Sequence, residues 1–221
     1  MTRSAVSLAL AAGLALSGCG APGAGASGPV RSAEAAPGQG GGMLAFLGMA
    51  PGGRESLQVL GGAVTVRGPA GYCVDPGASA PERGFAVLAS CERTGRGDPV
   101  RLDALITVQV GEPGSAMGPA GARELAALLE GPEGRGLLSQ GVPVRVTEVE
   151  TAADAVFVGY SEAREAAAGP PPPLWRAFLD LGDRIATVSI RPVEGAVLSS
   201  DAERRLIGEA VGQLRAANRP G

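Results

Sequence analysis

Three cysteines, Cys19, Cys73 and Cys91, carry the most distinctive chemistry that this sequence offers. A thiol can be acylated, can pair into a disulfide, or can bind a soft metal ion as its thiolate. The cysteines show no Cys-x-x-Cys spacing, and the chain contains no His that could join them as a ligand. The spacing therefore does not indicate a redox motif or a metal site.

The segment before Cys19 has the composition of a secretory signal peptide. Arg3 supplies a basic start and residues 5–16 form an apolar run, which is too short to span a bilayer. The run ends in Leu16-Ser17-Gly18-Cys19, which resembles the lipobox of bacterial lipoproteins. The resemblance implies that residues 1–18 are removed, that the Cys19 thiol receives a diacylglyceryl group, and that the new N-terminus is acylated. Several acyl chains together anchor a protein stably.

The resemblance also implies a location and a domain organisation. Gly20 occupies the position where lipoproteins retained in the inner membrane often carry Asp, so we expect the periplasmic face of the outer membrane. Residues 19–42 comprise the lipidated Cys19 and a Gly/Ala/Pro-rich segment that predicts a flexible tether. Residues 43–221 then form a single domain. Its first apolar segment, residues 43–49, is expected to dock on the domain, with insertion into the membrane as the alternative.

With Cys19 assigned to lipid, Cys73 and Cys91 remain, and an even number of thiols in an oxidising compartment favours a disulfide. Cys73 lies in a strand-like run at residues 71–74, and Cys91 closes the next such run. Adjacent antiparallel strands would bring the two Cα atoms within bridging distance. We predict a structural disulfide that contributes about 3 kcal/mol to stability. A redox-active or metal-binding thiol pair is the alternative.

The residue types that are missing exclude most common forms of catalysis. All nineteen basic residues are Arg, and the chain has neither Lys nor His. It therefore lacks a Ser-His-Asp triad, a His-bound zinc, a Schiff-base lysine and a phosphate-loop lysine. A net charge of −3 does not indicate the excess of positive charge that nucleic-acid binding requires. We expect a protein that is not an enzyme, uses no cofactor and binds no nucleic acid.

Two groups of charged residues could form sites, but each has a simpler interpretation. Asp75 and Asp98 precede prolines; they could act as acid and base or hold a cation, yet Asp also commonly caps a turn there. The arginines that could bind an anionic headgroup or glycan are Arg83, Arg93, Arg96 and Arg101. Because acidic residues interleave with them, a solvated surface of mixed charge is the expectation.

The elements that would position these residues alternate between short strands and two helices. Strand-like runs occupy residues 64–66, 85–90, 105–110, 142–147, 155–160, 175–181 and 185–191. A helix is predicted from Pro119 to Glu130, ending at Gly131-Pro132. In the last helix, Ser200-Asp201-Ala202-Glu203 fits a capping box, with Ser200 as N-cap and Glu203 reaching back to its amide. This order predicts an α+β fold, a mostly antiparallel sheet with two main helices packed on it.

The order of elements resembles the PsbP-like architecture, in which an early turn, here Gly68-Pro69-Ala70-Gly71-Tyr72, leads into the sheet. That resemblance implies a binding or assembly module. Residues 71–76 and 88–91 also resemble segments of small lipoproteins of Gram-negative bacteria, some of them labelled cation transport ATPases. This chain has no Asp-Lys-Thr-Gly motif and no nucleotide loop, so we do not carry that activity over.

The candidate partner-binding residues are Pro172, Pro173 and Trp175, at the end of a run of four prolines. The prolines could present a ligand or stiffen the approach to a hairpin, and Trp175 could anchor an interface or lie in the core. We predict a lipid-anchored, non-catalytic module that binds an envelope protein as an assembly or maintenance factor. A carrier or sensor of a small apolar or lipidic ligand is the alternative, and an enzyme is the third.

Overall fold

Seven antiparallel strands form the main sheet in the computed structural model of this protein. The structure describes residues 53–96, 102–139, 142–152, 155–162 and 174–219. The predictions for Cys19, residues 20–49, Asp98, Arg101, Pro172 and Pro173 lie outside the described residues.

The described elements follow the predicted order, with one additional strand and one additional helix. The strands are β1 (Ser56–Val59), β2 (Val64–Arg67), β3 (Tyr72–Ala80), β4 (Phe85–Ser90), β5 (Ala104–Val110), β6 (Val144–Ala152), β7 (Ala155–Glu162), β8 (Leu174–Leu181) and β9 (Arg184–Pro192). The helices are α1 (Gly118–Glu130), α2 (Pro132–Leu138) and α3 (Ser200–Ala217), with single 3-10 turns at Leu60–Gly62 and Pro81–Arg83. The predicted α+β class is confirmed, whereas β1 and α2 were not predicted.

Antiparallel pairing sets the order of the main sheet as β3-β4-β5-β9-β8-β7-β6, and β1 and β2 form a separate hairpin. The strands predicted at residues 175–181 and 185–191 form a hairpin, in which Leu181 pairs with Arg184 across Gly182-Asp183. Gly182 has a φ of +64°, a conformation that glycine adopts without steric cost in a two-residue turn. The sheet thereby brings β9, the last strand in sequence, to its centre.

Each face of the sheet packs against different helices. Along β7, Ala155 and Phe157 belong to the core cluster that includes α3, whereas Val156 and Val158 belong to the cluster that includes α1 and α2. This division follows from the period of two in a strand. The strand predicted at residues 105–110 corresponds to β5, whose even-numbered residues are all buried. Within the described ranges, no helix is both long and apolar enough to cross a bilayer.

The N-terminus of α3 differs from the sequence prediction. Ser199, rather than Ser200, is the N-cap, and its hydroxyl accepts a hydrogen bond from the Ala202 N–H at 3.2 Å. Ser200 lies in the first turn, where its Oγ accepts the indole N–H of Trp175 at 3.2 Å. Glu203 does not complete a capping box, because its side chain is buried and both carboxylate oxygens lack a hydrogen-bond partner.

The position of the cap can be tested by substitution. Ser199→Ala is expected to lower the free energy of unfolding by about 1 kcal/mol, because the Ala202 N–H loses its acceptor. Ser56→Ala is the control, since Ser56 is exposed on β1. Urea denaturation measures both variants. Equal stability of the two would show that the hydroxyl of Ser199 does not cap the helix.

Trp175 lies in the core, which corrects its assignment as a partner-binding residue. Its side chain is only 2% exposed, and the Arg204 guanidinium lies 5.4 Å from its ring centroid. On the neighbouring strand, a Cβ at Gly159 would come within 3.1 Å of the ring, so the glycine makes room for the indole. The sequence allowed Trp175 to be either an interface anchor or a core residue. Its burial shows that it is a core residue, where a large aromatic side chain stabilises the fold.

Candidate functional site

A cleft of about 430 Å³, which we call the disulfide cleft, opens beside the turn that leads into β3. The N–H of Tyr72 donates to the Pro69 carbonyl at 3.0 Å and closes that turn. Gly71 has a φ of +83°, which the third position of a type II turn requires. The turn thus places Pro69, Ala70 and Gly71 along one wall of the cleft.

Cys73 and Cys91 are among the residues that line this cleft, and they form a disulfide with a Cα–Cα distance of 4.8 Å. The predicted pairing is present, and its strand context is as expected: Cys73 pairs with Ala89 across the antiparallel β3 and β4. The bridge adjoins the loop after β4, in which Thr94 accepts the Gly53 N–H at 3.1 Å. The disulfide therefore helps to fix the position of Gly53, the first described residue.

Charged side chains from separate elements surround the disulfide cleft. Arg67 ends β2 and Arg96 follows β4, whereas Glu55 precedes β1 and Gln213 extends from α3. Arg96 donates to the Gly53 carbonyl at 3.0 Å, and Arg67 makes no ion pair with any described residue. Burial raises the pKa of the Tyr72 hydroxyl, so this group stays neutral and donates to the Leu102 carbonyl. The lining therefore offers hydrogen-bond donors from two arginines and an amide.

The carboxylate of Asp75 serves the turn, as the simpler interpretation predicts. Its Oδ1 accepts the N–H groups of Gly77 at 2.9 Å and Ala78 at 3.1 Å. Asp75 is buried within β3, and both of these hydrogen bonds are local. A carboxylate used in this way is not positioned for proton transfer to a substrate.

The arginines near β4 also take the simpler role where the structure describes them. Arg93 forms a bidentate ion pair with Asp103, and this hydrogen bonding lowers the pKa of the Asp103 carboxyl. Arg83 is exposed beside Glu82. Of the three described arginines of this group, Arg96 lines the disulfide cleft. Arg83 and Arg93 belong to a solvated surface of mixed charge.

Exposed apolar side chains also lie on α1, on α2 and just after α2. We call Leu128, Leu137 and Val142 the apolar patch; they are 38%, 56% and 42% exposed. Leu137 and Val142 border a second cleft of about 480 Å³. The lining of that cleft also includes Arg191, which donates to Glu162 at 2.8 Å, and Arg176, which donates to the Leu137 carbonyl at 3.0 Å. Sequence reasoning missed this surface because it missed α2, although Pro132 and Leu137-Leu138 were available as signals.

Glu203 is the most unusual titratable group in the described core. It is 0% exposed, and neither carboxylate oxygen has a hydrogen-bond partner. Desolvation by burial raises the pKa of Glu203 to about 8. Its neighbour Arg204 does not compensate the charge, because Arg204 pairs with Glu150 and packs over the Phe157 ring at 4.2 Å. The carboxyl is therefore neutral at pH 7.

The chain is thus an α+β protein with helices on both faces of a seven-stranded antiparallel sheet, and its described residues contain no cluster of metal-ligating side chains. No protein-family model and no curated protein matches the sequence. Among solved structures, the Saccharomyces cerevisiae Ran-binding protein Mog1p matches at 14% identity with a TM-score of 0.42, covering 76% of this chain and 93% of that one. A substituted form of protein Mog1 matches at 14% identity and a TM-score of 0.41, with 74% and 91% covered.

Proposed function

We propose that this chain is a non-catalytic module that binds a protein partner through the apolar patch. The observation that carries the proposal is the exposure of Leu128, Leu137 and Val142 on two consecutive helices and the segment that follows them. Large apolar side chains grouped at a surface are typical of interaction sites, whereas single ones are common everywhere. The fourth exposed large apolar residue of the described chain, Val197, precedes α3 and is not part of this group.

The surroundings of the apolar patch match the anatomy of a protein interface. Interfaces combine an apolar centre with a polar rim, and arginine is enriched in them. Arg176 is held by Ser189 at 2.9 Å and by the Leu137 carbonyl at 3.0 Å, so its position is fixed before a partner arrives. Arg191 and Glu162 supply an ion pair at the same cleft. Such a surface loses little side-chain freedom on binding.

The non-catalytic part of the proposal rests on how the described acidic groups are used. Asp75 caps a turn, Asp103 pairs with Arg93, and Glu150 pairs with Arg204. Glu203 is buried away from both clefts. Acid–base chemistry needs titratable groups that converge on one reacting centre, and these carboxylates serve separate structural contacts.

We extend the proposal to where the module acts. Removal of residues 1–18 and lipidation of Cys19 would anchor it to a membrane, with residues 20–42 as the tether. The partner would then be an envelope protein at the periplasmic face of the outer membrane. Mass spectrometry of the native N-terminus tests this directly. An unmodified Cys19 thiol, or a leader still attached, would remove the anchor from the proposal without affecting the apolar patch.

A carrier or sensor of a small apolar or lipidic ligand is the second candidate. The observation in its favour is the disulfide cleft, whose lining is more apolar than polar. Both clefts open to solvent, whereas carriers of apolar ligands usually enclose them. We therefore rank protein binding above the carrying or sensing of a small ligand.

The partner surface can be tested with a matched pair of substitutions. Val142→Ser is expected to weaken partner binding by about tenfold or more, because it places a hydroxyl at the centre of an apolar contact. Val197→Ser makes the same chemical change at a residue that is 92% exposed and should leave binding unchanged. The measurement is site-specific photo-crosslinking from position 137 in intact envelopes, quantified for each variant.

Two results would contradict the proposal. If both valine variants crosslink as strongly as the unsubstituted protein, the apolar patch is not the interface. If no protein is crosslinked and a lipid co-purifies instead, the carrier function takes its place.

A further inference from the structure

The disulfide cleft is a second candidate binding site, separate from the apolar patch. We propose that it binds a small amphipathic anion, a molecule with an apolar body and one carboxylate or phosphate ester group. The volume of about 430 Å³ lies within the range of small-ligand sites.

The donors of the cleft come from both side chains and backbone. Arg67 has no partner among the described residues, and Arg96 uses only one of its N–H groups, on the Gly53 carbonyl. In the turn, the N–H groups of Ala70 and Gly71 donate to no described backbone acceptor, whereas Tyr72 N–H is already used by Pro69. Free guanidinium and successive backbone N–H groups at a concave surface form a typical anion-binding arrangement.

The charge of the lining favours an anionic ligand of low charge. Two arginines and one glutamate, Glu55, give the lining a net charge of +1. A chain with a net charge of −3 repels anions elsewhere, so a locally positive cleft is a selective feature. Gln213 of α3 adds an uncharged amide that can donate or accept.

The walls explain why the ligand should also have an apolar body. Pro69, Tyr72 and the Cys73–Cys91 disulfide line the cleft, and the Tyr72 hydroxyl is directed to the Leu102 carbonyl. Pro69, Tyr72, Cys73 and Cys91 therefore give the lining of the cleft an apolar part. The disulfide fixes this wall against the turn, where the Cys91 N–H also donates to the Gly71 carbonyl at 2.8 Å. A preformed wall reduces the entropic cost of binding.

The probes are octanoate and octyl phosphate, with octyl glucoside as an uncharged molecule of the same chain length. The full chain with its disulfide intact is titrated by NMR, observing the amide resonances of Ala70 and Gly71. We expect both anions to shift these resonances and octyl glucoside to leave them unchanged. Whichever anion binds more tightly identifies the head group as carboxylate or phosphate. Affinity should also fall as salt is added.

Substitutions separate this site from general surface attraction. Arg67→Gln is expected to weaken binding of the anions by about tenfold, the usual effect of losing one charge-assisted hydrogen bond. Because Arg67 has no described partner, the variant should fold normally. Arg96→Gln should act in the same direction, and Arg123→Gln, at an exposed residue of α1, should have no effect. Unchanged affinity in Arg67→Gln, equal binding of octyl glucoside, or no binding of either anion overturns the proposal.

Discussion

Glu203→Gln is expected to stabilise the fold by about 3.5 kcal/mol at pH 7 and by about 1 kcal/mol at pH 5. Burial raises the pKa of Glu203 to about 8, whereas an unfolded chain ionises this carboxyl near pH 4.3. Between these values the folded state holds one proton more than the unfolded state. The free energy of unfolding therefore falls as pH rises through this window. Gln keeps the shape of the side chain and removes the ionisation.

The measurement is urea denaturation of both proteins at several pH values between 5 and 8. The chain has no His, so an imidazole cannot produce a slope in this range. Glu209→Gln is the matched control, because it makes the same change at an exposed residue of the same helix. A Glu203→Gln variant with the same pH dependence as the unsubstituted protein would show that Glu203 ionises in the folded state at its ordinary pH.

Elements with a strong local pattern could be predicted from the sequence. The alternation of β5, the apolar run of β4 and the Gly182-Asp183 turn all describe local periodicity or turn chemistry. Each has the predicted boundaries to within one or two residues. The fold class followed, because antiparallel strands joined by short turns leave few alternative arrangements.

Features that depend on packing between distant segments could not be predicted in the same way. The sequence around Ser200 fits a capping box, yet Ser199 caps the helix and Trp175 uses the hydroxyl of Ser200. The competing hydrogen bond comes from a strand that lies 25 residues earlier in the chain. Local rules contain no information about such a partner, and tertiary packing therefore decided the register of the cap.

The candidate sites also combine features that follow from local sequence with features that depend on packing between distant segments. The turn at residues 68–72 and the cysteine pair could be identified from the sequence, because turn chemistry and thiol counting are local or compositional arguments. Arg67 and Gln213 reach the same cleft from elements that are far apart in the chain. Their position depends on the packing of β2 and α3 against the sheet. A single sequence does not specify that contact, although it does specify both elements.

Loss of the Cys73–Cys91 bridge is expected to lower the free energy of unfolding by about 3 kcal/mol. The bridge closes a segment with a sequence separation of 18, so its removal gives the unfolded chain more conformational freedom. In the folded state it also supports the loop after β4, whose Thr94 carbonyl and Arg96 side chain hold Gly53. The paired variant Cys73→Ala with Cys91→Ala removes the bridge without leaving a free thiol.

Denaturation with and without a phosphine reductant distinguishes the bridge from the packing of its side chains. The free energy of unfolding of the unsubstituted protein should fall by about 3 kcal/mol on reduction. That of the doubly substituted protein should not change when the reductant is added. If the disulfide acts through the unfolded chain, most of the loss should appear with little change in the NMR spectrum of β5 and β9, which lie away from the bridge in the sheet. An unsubstituted protein that is equally stable in both conditions would mean that the two sulfurs are not bonded in the folded chain. Cys73 and Cys91 both line the disulfide cleft. Reduction should therefore also weaken anion binding there, because the same bond stabilises the fold and the ligand site.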